Sequence, residues 1–135
     1  MKLWKRLYGT VWLAFFSCVI IPRWTDSKIG LWMHVVLGLA LLVITQVNAR
    51  SLRALPVPSR LKRIGITTSV FAMFQIICGL VFGKVMILAP AAVPAFRIAH
   101  VVCALAILAQ ASSLATAYDM WEEKEFQETP PQSAS

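Results

Sequence analysis

The stretch Leu31-Trp32-Met33-His34-Val35-Val36-Leu37-Gly38 stands near the start of a long apolar segment, and its reading decides the fold. It has an echo at Arg97-Ile98-Ala99-His100-Val101-Val102-Cys103-Ala104. His34 and His100 are the only two histidines of the chain. Each sits a turn or less inside an apolar segment, and each is followed four positions later by a very small residue, Gly38 or Ala104. An ionisable group in such a segment points to function, because hydrocarbon charges heavily for polar side chains.

The surrounding composition says what kind of segment this is. The 135 residues suffice for one domain. They are 59% hydrophobic, with a mean hydropathy of +0.71, above the roughly one-half apolar share of soluble domains. A small soluble domain keeps too much area exposed to hide that surface, so the lipid bilayer is the natural solvent. The net charge of +7 would suggest nucleic acid in a soluble protein. Here the basic residues cluster between apolar runs and read as topology signals and anionic-lipid contacts instead. Cys18, Cys78 and Cys103 all lie within apolar runs and form no C-x-x-C or C-x-x-C-H pattern. They read as packing thiols, not as zinc, iron–sulfur or covalent haem ligands.

Four apolar spans are expected, at about residues 4–21, 30–48, 64–83 and 98–118, each near the ~20 residues that cross a bilayer. The basic start, with Lys2, Lys5 and Arg6, and the apolar run to Ile21 are also how a signal peptide begins. No A-x-A pattern follows, and Phe15-Phe16-Ser17-Cys18 resembles a lipoprotein cleavage site only faintly, so a retained first helix is expected. Arg50 to Arg63 carries Pro56, Pro58 and five basic residues and reads as a cytoplasmic loop. Gly79 and Gly83 on the third span read as a close helix contact. The apolar connector Lys84–Phe96, with Pro90 and Pro94, is expected to lie along the membrane surface. Residues 122–135 read as an acidic, partly disordered cytoplasmic tail.

The fold class expected is an all-α membrane protein, a four-helix up-and-down transmembrane bundle over residues 1–121. Nine Lys and Arg fall on the side of the termini and the middle loop, against four on the other side. Both termini are therefore expected in the cytoplasm, with the chain integral to the plasma (inner) membrane. Trp4, Tyr8, Tyr118 and Trp121 fall at one interface, and Trp24 and Trp32 at the other.

Spans two and four run in the same direction, so His34 and His100 lie at matching depth near the outer face. In up-and-down order these helices face each other across a diagonal of about 11–14 Å, given neighbours ~8–10 Å apart. A porphyrin with an imidazole on each face needs about this separation, and bundle cores commonly house such groups. His34 shares a helical face with Gly38, Leu41 and Thr45. His100 shares one with Cys103, Ala104, Ile107, Ala111 and Tyr118. The expected cofactor is one haem b with bis-histidine ligation. Gly38 and Ala104 would clear the ring, and Arg23, Lys28, Lys84 and Arg97 would meet the propionates, Arg97 best placed of the four. Zinc or copper would lack carboxylate or accessible thiolate partners. Gln46, Gln75 and Gln110 could contact a quinone but equally serve as interhelical hydrogen-bond partners, and that second use is favoured.

Two segments also resemble a known family. Phe74-Gln75-Ile76-Ile77-Cys78-Gly79-Leu80 is similar to a third-helix Leu-Gln-x-x-Leu-Gly pattern of the haem A synthase family. Ile98-Ala99-His100-Val101-Val102-Cys103-Ala104-Leu105-Ala106 resembles its fourth-helix histidine segment. Spans two to four thus resemble one four-helix half of that family, over about half the chain, with short apolar motifs. The resemblance implies histidines near the outer ends of helices two and four, His34 and His100 here. The family's second-helix glutamate and arginine are replaced by Leu31 and Val35, so it implies the haem-holding scaffold more than the reaction.

No acidic residue lies inside a span, and no Ser-His-Asp set or phosphate-cradling loop appears, so an enzyme acting alone is not supported. The leading expectation is a small b-type cytochrome carrying electrons, a subunit of a respiratory membrane complex with other membrane subunits or a second copy as partner. The alternatives are a half-size haem A synthase-like protein in haem or oxidase biogenesis, and a haem-free structural accessory subunit whose glutamate-rich tail docks to basic neighbours.

Overall fold

The computed structural model describes residues 2–21, 26–82 and 90–128, and among these every regular element is helical. Helix α1 runs Leu3–Phe15 and continues through one π-helical turn at Phe16–Ile20. Trp12, Phe15 and Phe16 form a cluster at that junction, with ring centroids 5.9–6.3 Å apart. Helix α2 runs Lys28–Ala54 and starts where Ser27 caps it. The Ser27 hydroxyl accepts the Gly30 N–H at 3.0 Å, and its carbonyl accepts that of Leu31 at 3.0 Å. These bonds meet donors that the first turn leaves open.

Prolines, not charge, set the next boundaries. Leu55 is extended, as the residue before a proline prefers to be. Helix α3, Ser59–Phe82, then begins with the Pro58 carbonyl accepting the N–H groups of Leu61 and Lys62. Helix α4, Val93–Glu128, follows a 3-10 turn at Pro90–Ala92. Pro94 stands in its first turn, where a missing N–H is no loss. The helices therefore run past the expected spans: α2 to Ala54 instead of Asn48, and α4 from Val93 instead of Ile98. Hydropathy marks the apolar part of a helix, whereas its ends are set by caps and prolines. The segments Lys28–Ala54, Ser59–Gly79 and Val93–Glu125 are long and apolar enough to cross a membrane.

Helix α1 packs on α2 and α4, and so does α3. The pairs α2–α4 and α1–α3 lie on the two diagonals, without backbone contact among the described residues. Gly65, early in α3, lies against Leu52 and Ala49 late in α2, while Gly38 lies near Ile76. Neighbours are thus antiparallel, and α2 and α4 run the same way.

The interior is layered, and each helix contributes inward residues at alternating three- and four-residue steps. The end nearest the α2–α3 turn holds Leu7, Leu52, Val57, Leu61, Leu114, Ala115 and Tyr118, backed by Trp4 and Trp121. Above it comes a polar layer. Thr10, Thr45, Asn48 and Thr68 are all buried, and with Gly65 and Ala111 they line a cavity of about 10 Å³. Arg6 reaches into this layer from α1. Its Nε donates to Asn48 Oδ1 at 2.7 Å and its Nη2 to Ser51 Oγ at 2.6 Å. Asn48 Nδ2 in turn donates to Thr10 Oγ1 at 2.8 Å. Next lies an apolar layer with one residue from each helix: Ala14, Leu41, Ala72 and Ile107.

Gly65 fixes the closest approach of α2 and α3. A Cβ there would stand 2.8 Å from Leu52 Cδ1 and 3.7 Å from the Ala49 Cα. Leu52 is fully buried and has little room to yield. Gly65→Val is expected to lower stability by about 2 kcal/mol, as overpacked cores do, measured by thermal unfolding in detergent. Gly65→Ala should cost less, because alanine regains up to about 1 kcal/mol of helix propensity.

Candidate functional site

The site is built from the layered register. One turn beyond the apolar layer, away from the α2–α3 turn, the same four inward stripes present Ser17, Gly38, Gln75 and Ala104. Ser17 and Ala104 are buried, and Gly38 and Gln75 are half-buried. A further step brings Ile21, His34, Cys78 and His100, with Ile21 and Cys78 buried and both histidines half-buried. Ser17 arrives on the interior because Leu7, Thr10, Ala14, Ser17 and Ile21 form one buried stripe that the π-turn carries to its end.

His34 and His100 meet across the α2–α4 diagonal. Their ring centroids are 6.1 Å apart and their planes cross at 57°. The backbones of these helices do not touch there, so the two imidazoles are what spans the gap. With imidazole nitrogens about 2.0–2.1 Å from a metal on either side, two ring centroids stand about 6 Å apart. Rings sharing one axis through a metal are free to differ in rotation about it, so the 57° angle fits such an arrangement. His34 Nδ1 and Gln75 Oε1 are buried without a hydrogen-bond partner among the described residues. Among those residues, no three His, Cys, Asp or Glu side chains gather as ligands for a bare metal ion.

Gly38 and Ala104 lie one turn from the histidines on the inward stripes of their helices. A Cβ on Gly38 would meet Ile76 Cδ1 at 3.8 Å, an ordinary contact. The bare backbone of α2 at this level therefore faces the side of α3 as well as the axis. Lys28 and Arg97 are exposed, in the opening turns of α2 and α4 at the histidine end. Arg23 and Lys84 lie outside the described residues. Of the glutamines, Gln110 Oε1 lies 3.0 Å from the Thr68 hydroxyl, tying α4 to α3. Gln75 has no such tie at its Oε1.

Two features escape a reading of the sequence by spans. Ser17 looked like part of an apolar run, although its spacing from Leu7, Thr10 and Ala14 is the signal that turns it inward. Arg6 looked like a topology charge, although Thr45 and Asn48 continue the stripe of Leu41 and mark a polar inner layer for it to join. No protein-family model, curated protein or solved structure matches the chain.

Proposed function

We propose that the protein is a small membrane b-type cytochrome in which His34 and His100 hold one haem b. The single observation that carries this reading is the 6.1 Å separation of two imidazoles presented from diagonal helices. The haem, when bound, supplies one-electron chemistry between ferric and ferrous iron. The rest is done by the chain. His34 and His100 offer a nitrogen each from opposite sides, while Gly38 and Ala104 keep side-chain bulk away from the axis. Lys28 and Arg97 supply positive charge suited to propionates, while Arg23 and Lys84, expected in the same role, lie outside the described residues. The layer of Ala14, Leu41, Ala72 and Ile107 closes the site toward the α2–α3 turn.

Three helices fit to cross a membrane support an integral membrane protein. The five basic residues between Arg50 and Arg63 favour a cytoplasmic α2–α3 turn. The histidine end is then at the outer face of the plasma membrane. Electron transfer within a larger respiratory assembly is the role proposed, because the described layers beside the histidines carry a hydroxyl and an amide but no acid or base. Haem-modifying chemistry would need one.

Absorption spectra of the chain, purified from membranes in its oxidised and dithionite-reduced forms, test the reading. A sharp low-spin reduced spectrum is expected. Colourless protein with ordinary helical content overturns it and leaves a haem-free accessory subunit.

A further inference from the structure

Directly below the histidines, the second diagonal of the bundle is polar where the first is bare. Helices α2 and α4 place Gly38 and Ala104 there, whereas α1 and α3 place Ser17 and Gln75. Gln75 Oε1 is buried with no hydrogen-bond partner among the described residues. A buried acceptor left unmet is destabilising. The nearest inward residues of its own helix, Ala72 and Cys78, are buried. Gln110 shows what a glutamine tying helices looks like here, with its Oε1 3.0 Å from Thr68. Gln75 is placed differently, between the apolar layer and the histidine pair on the helix that packs against both α2 and α4.

We infer that Gln75 sets the electrostatic field at the redox site, with its amide oxygen lowering the midpoint potential of the group the histidines hold. This inference rests on the haem reading and adds a residue to it. An amide oxygen that meets no donor among the described residues keeps its partial negative charge, and a surrounding of low dielectric lets that charge act at a distance. The level of Gln75 is about one helical turn, ~5 Å, from that of the histidines. The oxidised form of an iron porphyrin carries one more positive charge than the reduced form. The negative end of the amide dipole therefore favours the oxidised form, one of the ways a protein tunes such a centre without ligating it. Gln75 is a positioning residue in this sense, acting through the field and not by bonding the metal.

The test is a potentiometric titration of the full chain, wild type beside Gln75→Leu and Gln75→Met, with thermal unfolding of each in its haem-free form. Met keeps the length of the side chain without the amide dipole and guards against a packing fault peculiar to Leu. Both variants are expected to retain the low-spin bands, to show a midpoint shifted to more positive potential, and to unfold no earlier than wild type without haem. An unmoved or more negative midpoint in both variants overturns the inference while the haem reading stands. Earlier unfolding with an unmoved midpoint also overturns it, showing Gln75 to be interhelical glue. A colourless wild type overturns the haem reading and this inference together.

Discussion

Alanine at His34 is expected to abolish the low-spin haem spectrum, and alanine at His100 to do so equally. The expectation of equal effects follows from the geometry. The two imidazoles come from different helices that have no backbone contact, so neither can take over the other's position. The nearest soft donor on α4, Cys103, is half-buried and one turn from His100, on the same helix. In the His34 variant it stands on the side that His100 already serves, and in the His100 variant a sulfur ligand would give a spectrum unlike that of two imidazoles. Each single variant should therefore hold haem at least tenfold more weakly, since even outer partners of metal ligands are worth 10–100-fold, and any residue of bound haem should be high-spin. The measurement is the reduced-minus-oxidised spectrum per mole of protein, with circular dichroism to confirm the helices. Wild-type bands in either variant would exclude that histidine as an axial ligand.

The second large effect concerns stability and lies at the other end of the bundle. Asn48→Ala is expected to destabilise the protein by about 2 kcal/mol, a value set by two competing scales. A hydrogen bond to a charged group is worth about 1.5–3 kcal/mol in proteins generally, whereas interhelical bonds within membranes average about 0.6 kcal/mol. Asn48 is fully buried and serves two partners at once, the Arg6 guanidinium at 2.7 Å and the Thr10 hydroxyl at 2.8 Å. Its loss leaves the Arg6 guanidinium, among the described residues, with the Ser51 hydroxyl at 2.6 Å, which places the cost toward the upper scale. Thermal unfolding in detergent measures it, and the double variant with Arg6→Ala separates the pair from its surroundings. A loss below about 0.5 kcal/mol would show that Ser51 alone satisfies Arg6.

How much of this was legible in the sequence depended on periodicity. The inward face of α2 could be drawn through His34, Gly38, Leu41 and Thr45, and that of α4 through His100, Cys103, Ala104, Ile107, Ala111 and Tyr118. In the structure these faces point to the interior. The juxtaposition of the histidines followed from counting spans, since two helices of equal sense lie on a diagonal. Ser17 and Arg6 were less legible, because hydropathy averages a window and hides a lone polar residue within it. The partners of Arg6, namely Asn48 and Ser51, lie more than forty positions away in sequence, beyond any local pattern. The ends of α2 and α4 lie beyond the expected apolar spans for a related reason. Arg50, Arg53 and the glutamates after Tyr118 are good helix formers, so leaving the apolar zone did not end the helix.

The apolar layer of Ala14, Leu41, Ala72 and Ile107 has a consequence for voltage. In a bilayer, a potential falls across the stretch of lowest dielectric, and a charge crossing all of it works against about 2.3 kcal/mol per 100 mV. The histidine pair stands on one side of that layer, and the Arg6–Asn48–Thr10 network stands on the other. An electron reaching the histidines from their own end of the bundle crosses little of this drop. If the histidines hold the proposed haem, its arrival would do little work against the membrane potential, and the midpoint of that haem would be insensitive to energisation of the membrane.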